Sequence, residues 1–310
     1  MDRMRLTEGG LEISRIVFGS MGRRESSEAE RTRTLHAAID AGTSSIDTAP
    51  LYDFGEVESF LGRALRDRRD TVEILSKVGL RWDDEHGEIL FEFDDATGTR
   101  RAVRRDSRPE AIRRDVEASL ARLRTDHLDL CQIHYPDRHT PIEESLGELE
   151  RLACEGKIRH VGVSNFDPGQ LETALRPADA PAPARSHPVV SNQIHFSLLT
   201  QDQAGALADV TRRFGVGWLA YSPLEAGALS DAMLTPGRLD ASARARSYHF
   251  RPANAERIRQ ALADVVSPVA SRHGASVSQV CLAWLLHQES VRGVIVGASD
   301  AGQARANAEA

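Results

Sequence analysis

The 310-residue chain has only three cysteines, Cys131, Cys154 and Cys281, none of them in a Cys-x-x-Cys pair. Such a scatter excludes a disulfide framework, and the three read as reduced thiols of the core, with no structural metal expected. Positive charge is also short: 39 Lys and Arg face 46 Asp and Glu, a net charge of -7. That balance leaves no nucleic-acid footprint and points to a small-molecule partner. No stretch approaches the ~18 consecutive apolar residues of a membrane span. The opening "MDRMRLTEGG" lacks the apolar run of a secretory signal, so a cytoplasmic protein is expected. Also missing is the Gly-x-Gly-x-x-Gly turn that a doubly wound dinucleotide-binding sheet carries after its first strand.

What is present is alternation. Eight β-type runs, "RIVFG", "SSIDT", "VEILSK", "LDLCQIH", "HVGVSN", "VVSNQIH", "VGWLAY" and "VRGVIVG", are separated by amphipathic segments. With no Rossmann turn, this predicts an α/β fold of the (β/α)8 TIM-barrel type, with residues 1–310 forming one domain. A β-hairpin turning at Gly9-Gly10 is expected before the first barrel strand. Capping boxes are predicted at Ser107/Glu110, Thr140/Glu143, Asp167/Gln170 and Thr200/Gln203. Helix faces follow at Ile112, Val116, Leu120 and Leu123, and at Ile142, Leu146, Leu149 and Leu152, the latter helix stopping at Gly156. Residues 176–188 form a Pro/Ala-rich connector. Two long stretches, 81–108 with a hairpin about "DDATG" and 222–254, follow strand C-termini, the face on which barrel enzymes build their sites.

Buried parallel strands should be apolar, yet these end on Asp47, Lys77, His134, Ser164-Asn165, Gln193 and Tyr221. In a closed barrel they converge on one mouth. Asp47 is a fitting counter-ion for a buried Lys77, and the turn after Asp47 swings Tyr52 over the same point. An ammonium beside a phenol favours its ionised form and makes it a better general acid, while an imidazole at His134 can donate to a carbonyl oxygen.

"DTAPLY", "ILSKVG", "DLCQIHYPD", "EGKIRHVGVSNF" and "AYSPL", in this order, resemble the aldo-keto reductase family. The resemblance implies reduction of an aldehyde or ketone to an alcohol, or the reverse, with a nicotinamide cofactor, NADP(H) ahead of NAD(H). By position it implies Tyr52 as general acid and base, Lys77 and Asp47 as its tuners, and His134 as the group that orients the carbonyl. It further implies Ser164, Asn165 and Gln193 as carboxamide contacts and Tyr221 as the ring on which nicotinamide stacks. Ser222 and Leu224 correspond to pyrophosphate contacts, and Gly297, Ser299, Gln303 and Asn307 to the adenosine segment, with Asp47 also near the cofactor. The chain departs from the family pattern at Ser299-Asp300, where Lys or Arg often meets a 2′-phosphate. It departs again at Val57, at His195, where Tyr or Phe is common, and at "LEAGALS", which is poorer in glycine. Trp82 is a candidate pocket wall, and Arg244 and Arg246 read as a solvated basic face. A cofactor-sensing protein with little turnover on the same fold is the alternative reading.

Overall fold

A computed structural model describes residues 2–22, 26–94, 97–176, 186–202, 204–235 and 247–310. Two short strands, β1 (Arg3–Arg5) and β2 (Glu12–Ser14), pair antiparallel as a hairpin. Its turn closes through Gly10 N donating to Thr7 O, with Gly9 at φ 71°. The barrel strands follow as β3 (Ile16–Gly19), β4 (Ser45–Asp47) and β5 (Glu73–Val78), then β9 (Leu128–Ile133), β10 (Ile158–Ser164), β11 (Val189–His195), β12 (Gly217–Tyr221) and β13 (Val291–Val296). They close in the order β10-β11-β12-β13-β3-β4-β5-β9, every pairing parallel. All eight expected strands are therefore present, in a closed (β/α)8 barrel.

Strand alternation places the site. Val17, Leu75, Leu130, Val190, Leu219 and Ile295 form one buried cluster, which Leu6, Leu11 and Ile13 of the hairpin complete. The hairpin thus stoppers the lumen. Two residues beyond Leu75 lies Lys77, two beyond Leu219 lies Tyr221, and four beyond Leu130 lies His134, so the period-2 alternation that builds an apolar floor also sets polar groups on the same side at the mouth. The outward faces pack on helices α1 (Glu28–Asp40), α2 (Glu56–Ala64), α3 (Pro109–Leu123), α4 (Ile142–Cys154), α5 (Pro168–Leu175) and α6 (Ala204–Phe214). Past β12 come α7 (Asp231–Leu234), α8 (Pro252–Ala261), α9 (Ser267–His273), α10 (Val277–Leu286) and α11 (Ala301–Ala308).

Two capping expectations fail for a tertiary reason. Helix α3 starts at Pro109 after Arg108, and α4 starts at Ile142 after Pro141, neither with a side-chain cap. Asp137 has taken both neighbours, accepting from the Ser107 backbone N–H at 3.0 Å and from the Thr140 hydroxyl at 2.8 Å. The Asp167/Gln170 box is formed, and two unanticipated boxes occur at Ser27/Glu30 and Ser276/Gln279. The Thr200/Gln203 expectation involves a residue outside those described, as do Arg244, Arg246 and most of the connector. Cys131 and Cys281 are buried, but Cys154, in the last turn of α4, is exposed and is not a core thiol.

Residues 81–108 carry a three-stranded sheet of β6 (Leu80–Arg81), β7 (Glu88–Asp94) and β8 (Arg100–Arg105), the last two forming the expected hairpin. Buried Arg81 anchors it to the barrel through Asp115 of α3 at 2.5 Å, and Asp115 also accepts from Gly79 N. The stretch after β12 has a core of its own, in which Leu229 and Met233 pack on Ile258, Leu262, Ala270, Val277 and Cys281. Among the described residues no helix is long and apolar enough to cross a membrane.

Candidate active site

Lys77 is the centre of the mouth. It is 1% exposed, and its Nζ donates to Asp47 Oδ1 at 2.7 Å, Asp47 Oδ2 at 2.8 Å, Thr48 O at 3.0 Å and the Tyr52 hydroxyl at 2.9 Å. An ammonium this deeply buried is tolerated only when its charge and all its protons are matched. Asp47 supplies the charge and takes a further bond from Gln193 Nε2, across the barrel, at 2.8 Å. Tyr52 reaches the cluster because "TAPLY" turns tightly after β4, Tyr52 N donating to Ala49 O. The next two residues, Asp53 and Phe54, lie at φ 51° and 52°, so the chain leaves the tyrosine through two left-handed positions without glycine. His134 sets its ring edge-on to Tyr52, with centroids 6.1 Å apart.

The electrostatics are those of a dry site. Burial, then the Asp47 carboxylate, holds the Tyr52 phenol well above its ordinary value, so it is a fully protonated donor at neutral pH. Burial pulls the Lys77 ammonium down, against the opposing pull of Asp47. Burial and the Lys77 charge hold His134 well below the ordinary imidazole range, so its ring is neutral. A protonated phenol, a neutral imidazole and a paired ammonium at one point can polarise a carbonyl oxygen and protonate it.

Beside this group the expected carboxamide residues form one network. Ser164 Oγ donates to Gln193 O at 2.9 Å, and Asn165 Nδ2 donates to His134 O at 3.0 Å. The Tyr221 hydroxyl donates to Asn165 Oδ1 at 2.9 Å. Ser222, at φ 54°, and Leu224 begin the turn after β12. Further round the rim, Asn307 Nδ2 donates to Gly297 O at 3.2 Å, and Ser299 N donates to Gln303 Oε1 at 2.7 Å, so these two helix residues tether the 297–299 loop. A cavity of about 150 Å³ opens there between Gly19, Ser20, Arg31, Thr34, Gly297 and Ser299. Asp300 caps α11 through Gln303 N at 2.9 Å and thereby sets a carboxylate at the helix start, where free backbone N–H groups would otherwise favour an anion.

A family model of the aldo/keto reductases matches residues 15–310. The chain belongs to the aldo-keto reductase family. It is 29% identical to "Aldo-keto reductase YhdN" of Bacillus subtilis, over 100% of this chain and 88% of that one. It is 30% identical to the "NADH-specific methylglyoxal reductase" of Escherichia coli, over 89% and 81%. Among solved structures, the glycerol dehydrogenase AKR11B4 from Gluconobacter oxydans superposes with a TM-score of 0.80 at 32% identity, covering 97% of this chain and 88% of that one. The thermostable aldo-keto reductase Tm1743, solved with the inhibitor epalrestat, gives 0.74 at 28% identity, covering 100% and 93%. As an aldo-keto reductase the chain is an oxidoreductase of a family that uses nicotinamide cofactors.

Reading the sequence overlooked several residues at this mouth. Tyr135 stacks on His134 with centroids 5.6 Å apart and lies under the Arg105 guanidinium. Its place directly after the strand-end histidine was a usable signal. Phe54 stacks on Phe93 of the β7–β8 hairpin at 4.7 Å and meets Trp82 edge-on at 5.4 Å, so Trp82 belongs to an aromatic cluster joining the Tyr52 turn to the hairpin. Arg31 lies over the Phe60 ring at 4.0 Å, on the wall of the rim cavity.

Proposed function

We propose that this chain, acting as one domain, interconverts a small carbonyl compound and its alcohol, with Tyr52 as the proton donor in reduction and the acceptor in oxidation. The bonding of Lys77 Nζ to both Asp47 and the Tyr52 hydroxyl, beside a neutral His134, carries this reading. The Lys77 ammonium would stabilise phenolate character as the proton leaves Tyr52, and Asp47 would keep that ammonium charged in a buried place. His134 would donate to the carbonyl oxygen and hold it against the phenol, a matter of orientation more than charge.

The residues present fit an extended nicotinamide cofactor. Asn165 and Gln193 offer amides, and Tyr221 offers a ring beside them. Gly19 and Gly297 line the rim cavity, where Gln303 and Asn307 hold the 297–299 loop. Such a cofactor supplies the hydride when bound. The family resemblance implies NADP(H) first, but the Asp300 carboxylate stands at the start of α11 beside the 297–299 loop, and we propose that NADH serves as well.

The test is a turnover screen over aldehydes, ketones and sugars, including methylglyoxal and glycerol, with NADPH and NADH in parallel and Tyr52→Phe as control. Reduction lost in the variant is the expected result. Tight nucleotide binding without oxidation across the panel would refute the enzyme and favour a nucleotide-sensing protein.

A further inference from the structure

The turn after β12 reads "SPLEAGAL", and it takes left-handed backbone at Ser222 (φ 54°), Glu225 (φ 47°) and Ala226 (φ 54°). Side chains other than glycine enter this region at a cost, so something must hold the turn in place. The side chain of Glu225 does so. It is 6% exposed, and its Oε1 accepts from His195 Nε2 at 2.9 Å, Ser197 Oγ at 2.5 Å and Thr200 Oγ1 at 2.8 Å. Its Oε2 lies 3.3 Å from His249 Nε2, at the far end of the same long loop. Burial alone would raise this carboxyl, but the bonds from His195, Ser197 and Thr200 outweigh it and bring it to about 2, so it is a carboxylate throughout the working range. His195 in turn stacks on Tyr221, with centroids 5.3 Å apart and rings 16° from parallel. Contacts therefore run without a break from Glu225 through His195 and Tyr221 to Asn165.

We propose that Glu225 is a positioning residue for the nucleotide. It holds His195 against one face of Tyr221, which leaves the other face for the nicotinamide ring, and it clamps the turn at 222–227 whose backbone would face the pyrophosphate. This rests on the cofactor reading above. A buried carboxylate next to a pyrophosphate would by itself repel it, and the hydrogen bonds that Glu225 accepts from His195, Ser197 and Thr200 spread its charge over three donors. The same device explains how the turn dispenses with glycine at position 225: the Glu225 side chain, at positive φ, is over-determined by three donors.

The experiment compares Glu225→Ala, Glu225→Gln, His195→Ala and His195→Phe with the parent. NADH and NADPH dissociation constants are measured by tryptophan quenching, and backbone amide exchange over residues 217–229 is measured without ligand. Glu225→Ala is expected to weaken both nucleotides equally, by about tenfold, and to speed exchange at 222–229, since charge-assisted bonds hold the turn. His195→Phe, which keeps a ring on Tyr221, is expected to bind more tightly than His195→Ala. A folded Glu225→Ala protein with parental affinity and parental exchange overturns the proposal. If that variant does not fold, Glu225→Gln and His195→Ala with unchanged affinity and exchange overturn it instead. Should the parent bind neither nucleotide, the cofactor reading falls, while the exchange comparison still decides whether Glu225 fixes the turn.

Discussion

Replacing Lys77 by Met tests the electrostatic core of the mechanism. The ammonium lies 2.9 Å from the Tyr52 hydroxyl. Against a full phenolate at an effective dielectric constant of about 20 this is worth about 6 kcal/mol, hence about 3 kcal/mol for a half-developed charge. A loss of that size lowers kcat about a hundredfold. Removing one member of a buried ion pair also costs about 3–5 kcal/mol of stability. Asp47 keeps its bond from Gln193 Nε2, which softens that cost. Thermal unfolding comes first, therefore, to confirm a folded variant, followed by nucleotide absorbance for turnover in both directions. The pH profile carries the sharper information. Tyr52 already sits above the ordinary phenol value through burial and Asp47. Losing the ammonium raises it further, so the alkaline rise of alcohol oxidation, which needs the phenolate, must move to higher pH. Reduction at neutral pH should fall without a shift, because the phenol is protonated in both proteins. A folded Lys77→Met enzyme with kcat near the parent's and an unmoved oxidation profile would refute the reasoning.

Tyr52→Phe should leave the nucleotide dissociation constant nearly unchanged by tryptophan quenching while kcat falls about 10²–10⁴-fold, the range for loss of a positioned acid; weakened binding with intact turnover would reverse the assignment. Ser299→Arg combined with Asp300→Ser should shift the ratio of NADPH to NADH affinity toward NADPH by at least about tenfold, as charge repulsion gives way to a bidentate partner; an unchanged ratio would show that the 2′-phosphate lies elsewhere. Because burial and Lys77 depress His134, the unfolded chain takes up a proton that the folded one refuses. This source of stability is present above about pH 6.5, the ordinary value, and is lost as the pH falls below it. His160, depressed mainly by burial, adds in the same direction. Urea midpoints from pH 8 to pH 5 should decline, less steeply in His134→Gln, and equal slopes would show that His134 is not buried neutral.

The barrel was legible because its strands are buried on both faces and must read as short apolar runs, and because a polar residue ending such a run has few structural excuses. Lys77 illustrates this: a lysine closing "VEILSK" could be solvated or paired, and only the parallel pairing of β4 with β5 made Asp47, thirty residues earlier, its neighbour. Ser107 and Thr140 show the opposite case. Each has the local spacing of a cap, but a carboxylate at Asp137 captured both segments, and no pattern within either helix announces a competitor brought in by tertiary packing. Cys154 failed similarly, since a thiol's burial depends on which way the last turn of a helix faces.

Glu225 marks where sequence reading stops for a physical reason. In "LEAGALS" the visible fact is a shortage of glycine, which reads as a changed closure of the loop. The folded chain resolves the shortage by bonding, through donors at His195, Ser197 and Thr200 that lie about one βα unit upstream. Whether a non-glycine residue can sit at positive φ is thus not a property of the turn but of what its side chain reaches. The same holds at Asp53 and Phe54, where two left-handed residues follow Tyr52 and the Phe54 ring is taken up by Phe93 and Trp82 of the hairpin. Removing the Phe93 ring should therefore loosen the Tyr52 turn from outside the site, lowering kcat without altering any group that bonds to Lys77. If Phe93→Ala changed only the KM for the carbonyl, the cluster would be a pocket wall and not a brace.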